Sequence, residues 1–388
     1  MMAGEKNTSN GFGLIELMIA VALGLLLLAA ISQLFISSRL TYNTADALAR
    51  VQENGRFAIE ILRPEFRELG GQGFCAGRIN IRSHLNDDCD DGVSALFDPA
   101  TALIGWEYND TGIGDEYTLP ASLAPAGIAR SEWQSRQADG TMLDLPTALS
   151  GRVVPGSDVL VVRRSNLLNV NVDGEQNNTN ITTGPGSNDL PRRGIVMVLN
   201  CAEGGDLFQQ SNNASDSSSL AKPTMSCTNP GPGNQPPGGS SWSMSHDSTS
   251  SVFGVEVVAF YIGHNAQRNE PGLYRLDLSR GLRAEDLQPE ELVQGIENMQ
   301  VLYGFSRPAP QGDGQLVDFW LTADQVTDWG LVIAVRLAVL ARSQEGGDVQ
   351  RQAFTYDLSR TLVTHPEDRL LRQPFATTIA LRNRMVVQ

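Results

Sequence analysis

The sequence predicts an α+β protein: one long N-terminal helix packed against an antiparallel β-sheet that carries long loop insertions. Three observations predict it. Residues 17–38 (LMIAVALGLLLLAAISQLFISS) hold neither charge nor proline between Glu16 and Arg39. Leu48, Val51, Ala58, Leu62, Phe66 and Leu69 then recur at spacings of three, four or seven, the period of one helix face. Beyond about residue 155 the chain breaks into short Val-rich runs separated by Gly, Pro, Asn and Ser, which is the pattern of strands and turns.

The helix comes first. At about 1.5 Å per residue the charge-free stretch makes about 33 Å of helix, enough to cross a bilayer core of about 30 Å. Its second half has a single apolar stripe, with Gln52, Glu53, Glu60 and Arg67 between, and suits a sheet packed on one side. Pro64 removes a backbone donor and is expected to bend the helix; Gly70-Gly71 is expected to end it. An acid at the edge of a membrane-length apolar helix is costly to bury without a partner, which makes Glu16 a functional residue by default.

Residues 75–155 are mixed and turn-rich. The acidic run 87–92 (DDCDDG) lacks the ligand register of an EF-hand and reads as a solvated loop. Strands are expected at 158–163 (DVLVVR), 194–200 (GIVMVLN), 300–305 and 331–341 (LVIAVRLAVLA, central), and at 375–381. A hairpin joins 252–262 to 272–278. Thr322 with Gln325 resembles a capping box that opens a short helix before Trp329. Two segments, about 165–190 and 209–251, are rich in Asn, Ser, Gly and Pro. Neither has enough apolar residues for a core of its own, so both are expected to be flexible surface loops.

Composition excludes several functions. The chain has 44 acidic against 29 basic side chains, a net charge of −15, and its lysines are Lys6 and Lys222 alone. A phosphate-binding surface needs clustered Lys and Arg, so nucleic-acid binding is not expected. No nucleophile elbow, HExxH or phosphate loop occurs. Ser245-His246-Asp247 is contiguous in a Ser-rich run, whereas triad members converge from a rigid scaffold. No enzyme, cofactor or metal is expected. The cysteines Cys75, Cys89, Cys201 and Cys227 form no C-x-x-C pair. An even count suits disulfides in an oxidising compartment. Three pairings are possible, and the local ones, Cys75–Cys89 and Cys201–Cys227, are expected.

Gly11-Phe12, Glu16 and the apolar helix behind them resemble the class III signal of type IV prepilins and pseudopilins. A Sec-type signal, with a short core behind basic residues, fits less well. The resemblance implies a pilin-like fold, cleavage by prepilin peptidase between Gly11 and Phe12, and N-methylation of the new terminus at Phe12. Glu16 then becomes the fifth residue, the one that pairs subunits in the filament. The implied organisation is a leader at 1–11, a membrane and filament-core helix at 12–38, its amphipathic continuation at 39–70, and a periplasmic β-rich domain at 71–388. The leader departs from the usual basic pattern, since Lys6 is offset by Glu5.

The segments 42–69, 291–305, 332–343 and 375–384, with Asp318, Asp324 and Trp329, resemble PilW-type minor pilins. That resemblance implies a structural subunit that primes pilus assembly near the tip. Its implied partners are other minor pilins, the major pilin, prepilin peptidase, the inner membrane and a large tip adhesin. The chain would sit in the inner membrane before assembly and at the cell surface afterwards. A pseudopilin J of type II secretion and a membrane-anchored periplasmic adhesion protein are the alternatives.

Overall fold

In the computed structural model the described residues are 13–67, 69, 75, 79–86, 93–125, 127–185, 187, 193–210, 219–224, 232–235, 241–279, 287–307, 316–346 and 351–381. The expected cut at Gly11–Phe12, the acidic run 87–92, Cys89 and Cys227 lie outside them.

The helix α1 runs unbroken over Leu14–Arg67, with Pro64 inside its last turn. Its strands follow in chain order. The first group is β1 (Ile81–Ser83), β2 (Leu103–Tyr108), β3 (Glu116–Thr118), β4 (Trp133–Arg136), β5 (Met142–Asp144), β6 (Val159–Leu167), β7 (Val172–Gln176) and β8 (Asn180–Thr183). The middle group is β9 (Ile195–Asn200), β10 (Gly204–Gln209), β11 (Ser219–Ala221), β12 (Ser251–Asn265), β13 (Glu270–Asp277) and β14 (Glu290–Gln294). The last is β15 (Ile296–Phe305), β16 (Phe319–Leu321), β17 (Val332–Gly346), β18 (Thr355–Leu358), β19 (Thr361–Thr364) and β20 (Leu370–Ala380).

They form a ten-stranded sheet with the path β1-β10-β9-β12-β6-β2-β4-β5, to which β13 and β14 are added through β12. A four-stranded sheet has the order β16-β15-β17-β20, and two three-stranded sheets are β11-β8-β7 and β18-β19-β3. Pairing is antiparallel except at β1–β10 and β19–β3. The expected hairpin is β12–β13, in register from Val258–Asp277 to Asn265–Glu270. The expected central strand is β17, flanked by β15 and β20.

One core joins α1 to both large sheets. Val51, Ala58, Leu62 and Phe66 are each 0 % exposed, and full burial of a Val, Leu or Phe side chain is worth about 1.5–3 kcal/mol. Leu48, expected on this face, is exposed instead, whereas Ile59 takes a buried place. The buried stripe starts one turn later, where the helix first meets the sheet. Ahead of it every large apolar side chain from Leu14 to Ile36 is exposed.

The two Asn/Ser-rich segments are not plain loops, which corrects the expectation for 165–190 and 209–251. They supply β7, β8 and β11. Val170, Val172, Ile181, Leu220 and Trp242 form a second core against Val196, Val198, Phe208 and Val252. Too apolar-poor to close a core alone, the segments borrow the outer face of β9 and β12. Ile195, Met197 and Leu199 of β9 face the main core, so β9 is covered on both sides and reads as a continuous apolar run.

The expected helix at Thr322 is absent. The Gln325 N–H donates to the Thr322 carbonyl (3.0 Å) in a single turn, and the Thr322 hydroxyl donates to Asp324 (2.5 Å) instead of capping. A 3-10 turn at Trp329–Leu331 follows, capped by Asp328, which accepts from the Gly330 N–H (2.7 Å). Trp329 is anchored by its Nε1–H to the Arg136 carbonyl (2.9 Å) and by edge contact with Tyr303.

Candidate functional site

The chemistry expected of this chain lies along α1. Glu16 sits in the first turn of the helix, exposed, and its Oε2 accepts the backbone N–H of Gly13 (3.1 Å). This is one half of a capping box: a carboxylate three residues into the helix reaches back to the first free amide. It also places negative charge at the positive end of the helix dipole. Behind it α1 contains a stretch long and apolar enough to cross a membrane, none of it buried against the protein.

The second half of α1 is held by the four-stranded sheet and by β14. An added Cβ at Gly55 would overlap the ring of Phe375 on β20, so the glycine sets how closely helix and sheet approach. Asn54 Nδ2 donates to the Gln294 carbonyl on β14 (3.1 Å). Arg164 on β6 pairs with Glu65 (2.9 Å), tying the last turn of the helix to the larger sheet.

The supporting sheet has an ionic lock of its own. Arg372 on β20 donates through Nε to Glu297 on β15 (2.6 Å) and through Nη2 to Asp368 (2.7 Å). Arg342 on β17 donates to the same Glu297 (3.1 Å). The Arg372 and Glu297 side chains are 1 % and 2 % exposed. Burial by itself would raise the Asp368 carboxyl, but Arg372 holds it below its usual range.

The fold brings His84 and His246, 162 residues apart in the chain, to one carboxylate. Asp206 of β10 accepts from His84 Nε2 (2.6 Å), His246 Nε2 (2.7 Å) and the Ser243 hydroxyl (2.8 Å). Burial works to raise Asp206, and these hydrogen bonds outweigh it and hold the group below its usual value. Burial also pushes the nearby Lys222 ammonium, stacked over Trp242, down to about 8. His246 thus turns to Asp206, not to its neighbour Asp247, and its other ring nitrogen lies 3.4 Å from Ser250 Oγ. The arrangement pins the second core to the main sheet. No sequence signal marked it, because the partners are 40 and 122 residues from Asp206.

Cys75 is bonded to Cys201, which overturns both expected local pairings, since each assigned one of these two sulfurs elsewhere. The parallel pairing of β1 with β10 carries the segment leaving α1 alongside the β9–β10 hairpin. Spatial neighbourhood, not sequence neighbourhood, set the partner. Among the described residues no cluster of three His, Cys, Asp or Glu is arranged to hold a metal ion.

Two families match the chain. Residues 259–383, about a third of its length, match Type IV Pilus-assembly protein W, and residues 6–32 match the Prokaryotic N-terminal methylation motif. The first covers β13 to β20 and the end of β12, including the sheet on which α1 is docked; the second covers the exposed front of α1. No curated protein and no solved structure shows significant similarity to the chain. The methylation motif and the solitary apolar front of α1 fit an inner-membrane anchor with a periplasmic domain that later enters the pilus. With that motif at its head and the PilW region towards its other end, the chain matches the pattern of a PilW-family, prepilin-type pilin of the type IV pilus.

Proposed function

We propose that this pilin is a minor subunit that primes pilus assembly and occupies the tip, and that Glu16 is the residue through which it joins its neighbours. Cleavage between Gly11 and Phe12 creates a positive α-amine, which is then methylated. When a subunit leaves the membrane, its apolar helix enters a bundle of like helices where an unpaired carboxylate is expensive. Pairing Glu16 with the N-terminal amine of an adjacent subunit offsets that cost and sets the register between helices. The observation that carries this reading is the solitary carboxylate at the head of a helix whose next 20 or so residues touch nothing in their own domain. A large head carrying an extra core on its flank suits a low-copy subunit at an end better than a repeating one. Other minor pilins and the major pilin are the expected partners, with a large adhesin beyond the tip.

Mass analysis of the membrane-extracted protein should find N-methylated Phe12 as its first residue; a mature polypeptide that retains Met1 refutes the cleavage. Glu16→Ala should insert normally into the inner membrane yet fail to support piliation. Wild-type piliation in that variant refutes the pairing. Co-purification with sibling minor pilins tests the priming role, and recovery with none of them from assembling cells counts against it.

A further inference from the structure

The two large sheets meet at a pair of buried carboxyls that anchoring and filament assembly do not use. Glu107 lies on β2 and Asp158 directly precedes β6; they are 5 % and 2 % exposed. The strands come close because Gly105 has no side chain: an added Cβ there would overlap the hydroxyl of Tyr303 on β15. Asp158 Oδ1 accepts the backbone N–H of Tyr108 on β2 (3.2 Å), and Oδ2 accepts that of Val301 on β15 (2.8 Å). One carboxylate therefore holds a strand of each sheet, and two amide donors favour its ionised form.

Glu107 faces it with less support. Oε1 accepts the Thr111 hydroxyl (3.2 Å), whereas Oε2 has no hydrogen-bond partner, and neither has the Tyr303 hydroxyl. The remaining charge that bears on the pair is also acidic: Asp324, in the turn after β16. Glu132 and Asp110 add negative charge near Tyr108. Burial, and after it the neighbouring acids, push the Glu107 carboxyl up; burial pushes Asp158 up as well, against the pull of its two amides. Two anions in this pocket would repel each other in a medium that solvates neither.

We propose that Glu107 and Asp158 form a proton-operated clasp between the sheets, in which Glu107 carries one shared proton, Asp158 stays ionised across Tyr108 and Val301, and loss of the proton loosens the junction. The four-stranded sheet bears α1, so the clasp makes the mounting of the helix on its head sensitive to the pH outside the inner membrane. The sign follows from the raised value. Between the ordinary carboxylate range near pH 4 and the raised native value, the native state binds more protons than the unfolded one. Stability therefore falls as pH rises through that window, by about tenfold in the folding constant per pH unit for each retained proton.

The test uses the full chain in detergent, unfolded by denaturant from about pH 5 to about pH 8, as wild type and as Glu107→Gln. The amide variant can donate an N–H towards Asp158 but cannot ionise. The wild-type folding constant should fall relative to the variant by about tenfold per pH unit. Opening of the Val301 and Tyr108 amides, read by hydrogen exchange corrected for intrinsic rates, should rise with pH in the wild type only. Parallel pH profiles for the two proteins overturn the proposal. Should the variant not fold, carbon-13 spectra of the wild type labelled at its carboxyls decide. A carboxyl still protonated at neutral pH supports the clasp, and titration of every carboxyl in the ordinary range refutes it.

Discussion

Replacing Cys75 and Cys201 together by Ser tests the long-range tie between the helix and the second half of the head. The two sulfurs are separated by 126 residues in sequence and their Cα atoms by 5.3 Å in space. Closing a ring of that length removes about 16 cal/mol/K of entropy from the unfolded chain, which corresponds to about 5 kcal/mol at room temperature. A local Cys75–Cys89 ring would give about 3 kcal/mol by the same reasoning. Denaturant unfolding of the oxidised wild type and the double Ser variant measures the difference, and peptide mapping without reductant identifies the linked residues. The expected outcome is a Cys75–Cys201 peptide and a loss of several kcal/mol. A Cys75–Cys89 peptide, or a variant within about 1 kcal/mol of wild type, refutes the reasoning.

Three further outcomes are expected. Leu62→Ala, on the fully buried stripe of α1, should cost about 2–5 kcal/mol in denaturant unfolding, whereas Leu48→Ala, at an exposed position, should stay within about 0.5 kcal/mol. Arg372→Ala leaves Glu297 buried with only Arg342 beside it and should cost about 3–5 kcal/mol; an unchanged unfolding midpoint contradicts the lock. Because Asp206 is held below its ordinary value by His84, His246 and Ser243, its contribution is complete above about pH 4 and is lost as pH falls below it. Stability measured from about pH 5 down to about pH 2 should therefore drop more steeply for the wild type than for Asp206→Asn, and equal slopes argue against the arrangement.

The parts legible in the sequence are those whose signal is local. The apolar front of α1 is written in consecutive residues, and its docking face in a repeat of three and four that survives in Val51, Ala58, Leu62 and Phe66. The strands β9, β12 and β17 are Val-rich runs and β13 and β15 carry other large apolar residues, recognisable because a strand buried on a sheet favours such side chains. Glu16 was visible for the same reason, as the lone charge at the edge of an otherwise uncharged stretch.

What the chain alone left open depends on residues that meet only after folding. Cys75 had three possible partners, and the parallel β1–β10 pairing chose Cys201. The polar segments were too apolar-poor to close a core, and only the outer face of β9 and β12 gave Ile181, Leu220 and Trp242 something to pack on. Asp206 with its two histidines, Arg372 with Glu297, and Glu107 with Asp158 are each assembled across 40 or more residues. The sequence by itself determined a membrane helix, a β-rich head and the acid at the helix's start, because periodicity and charge spacing act over a few residues. The tertiary structure decided which buried charges meet and which sulfurs join, because those choices rest on how strands from distant parts of the chain are laid side by side.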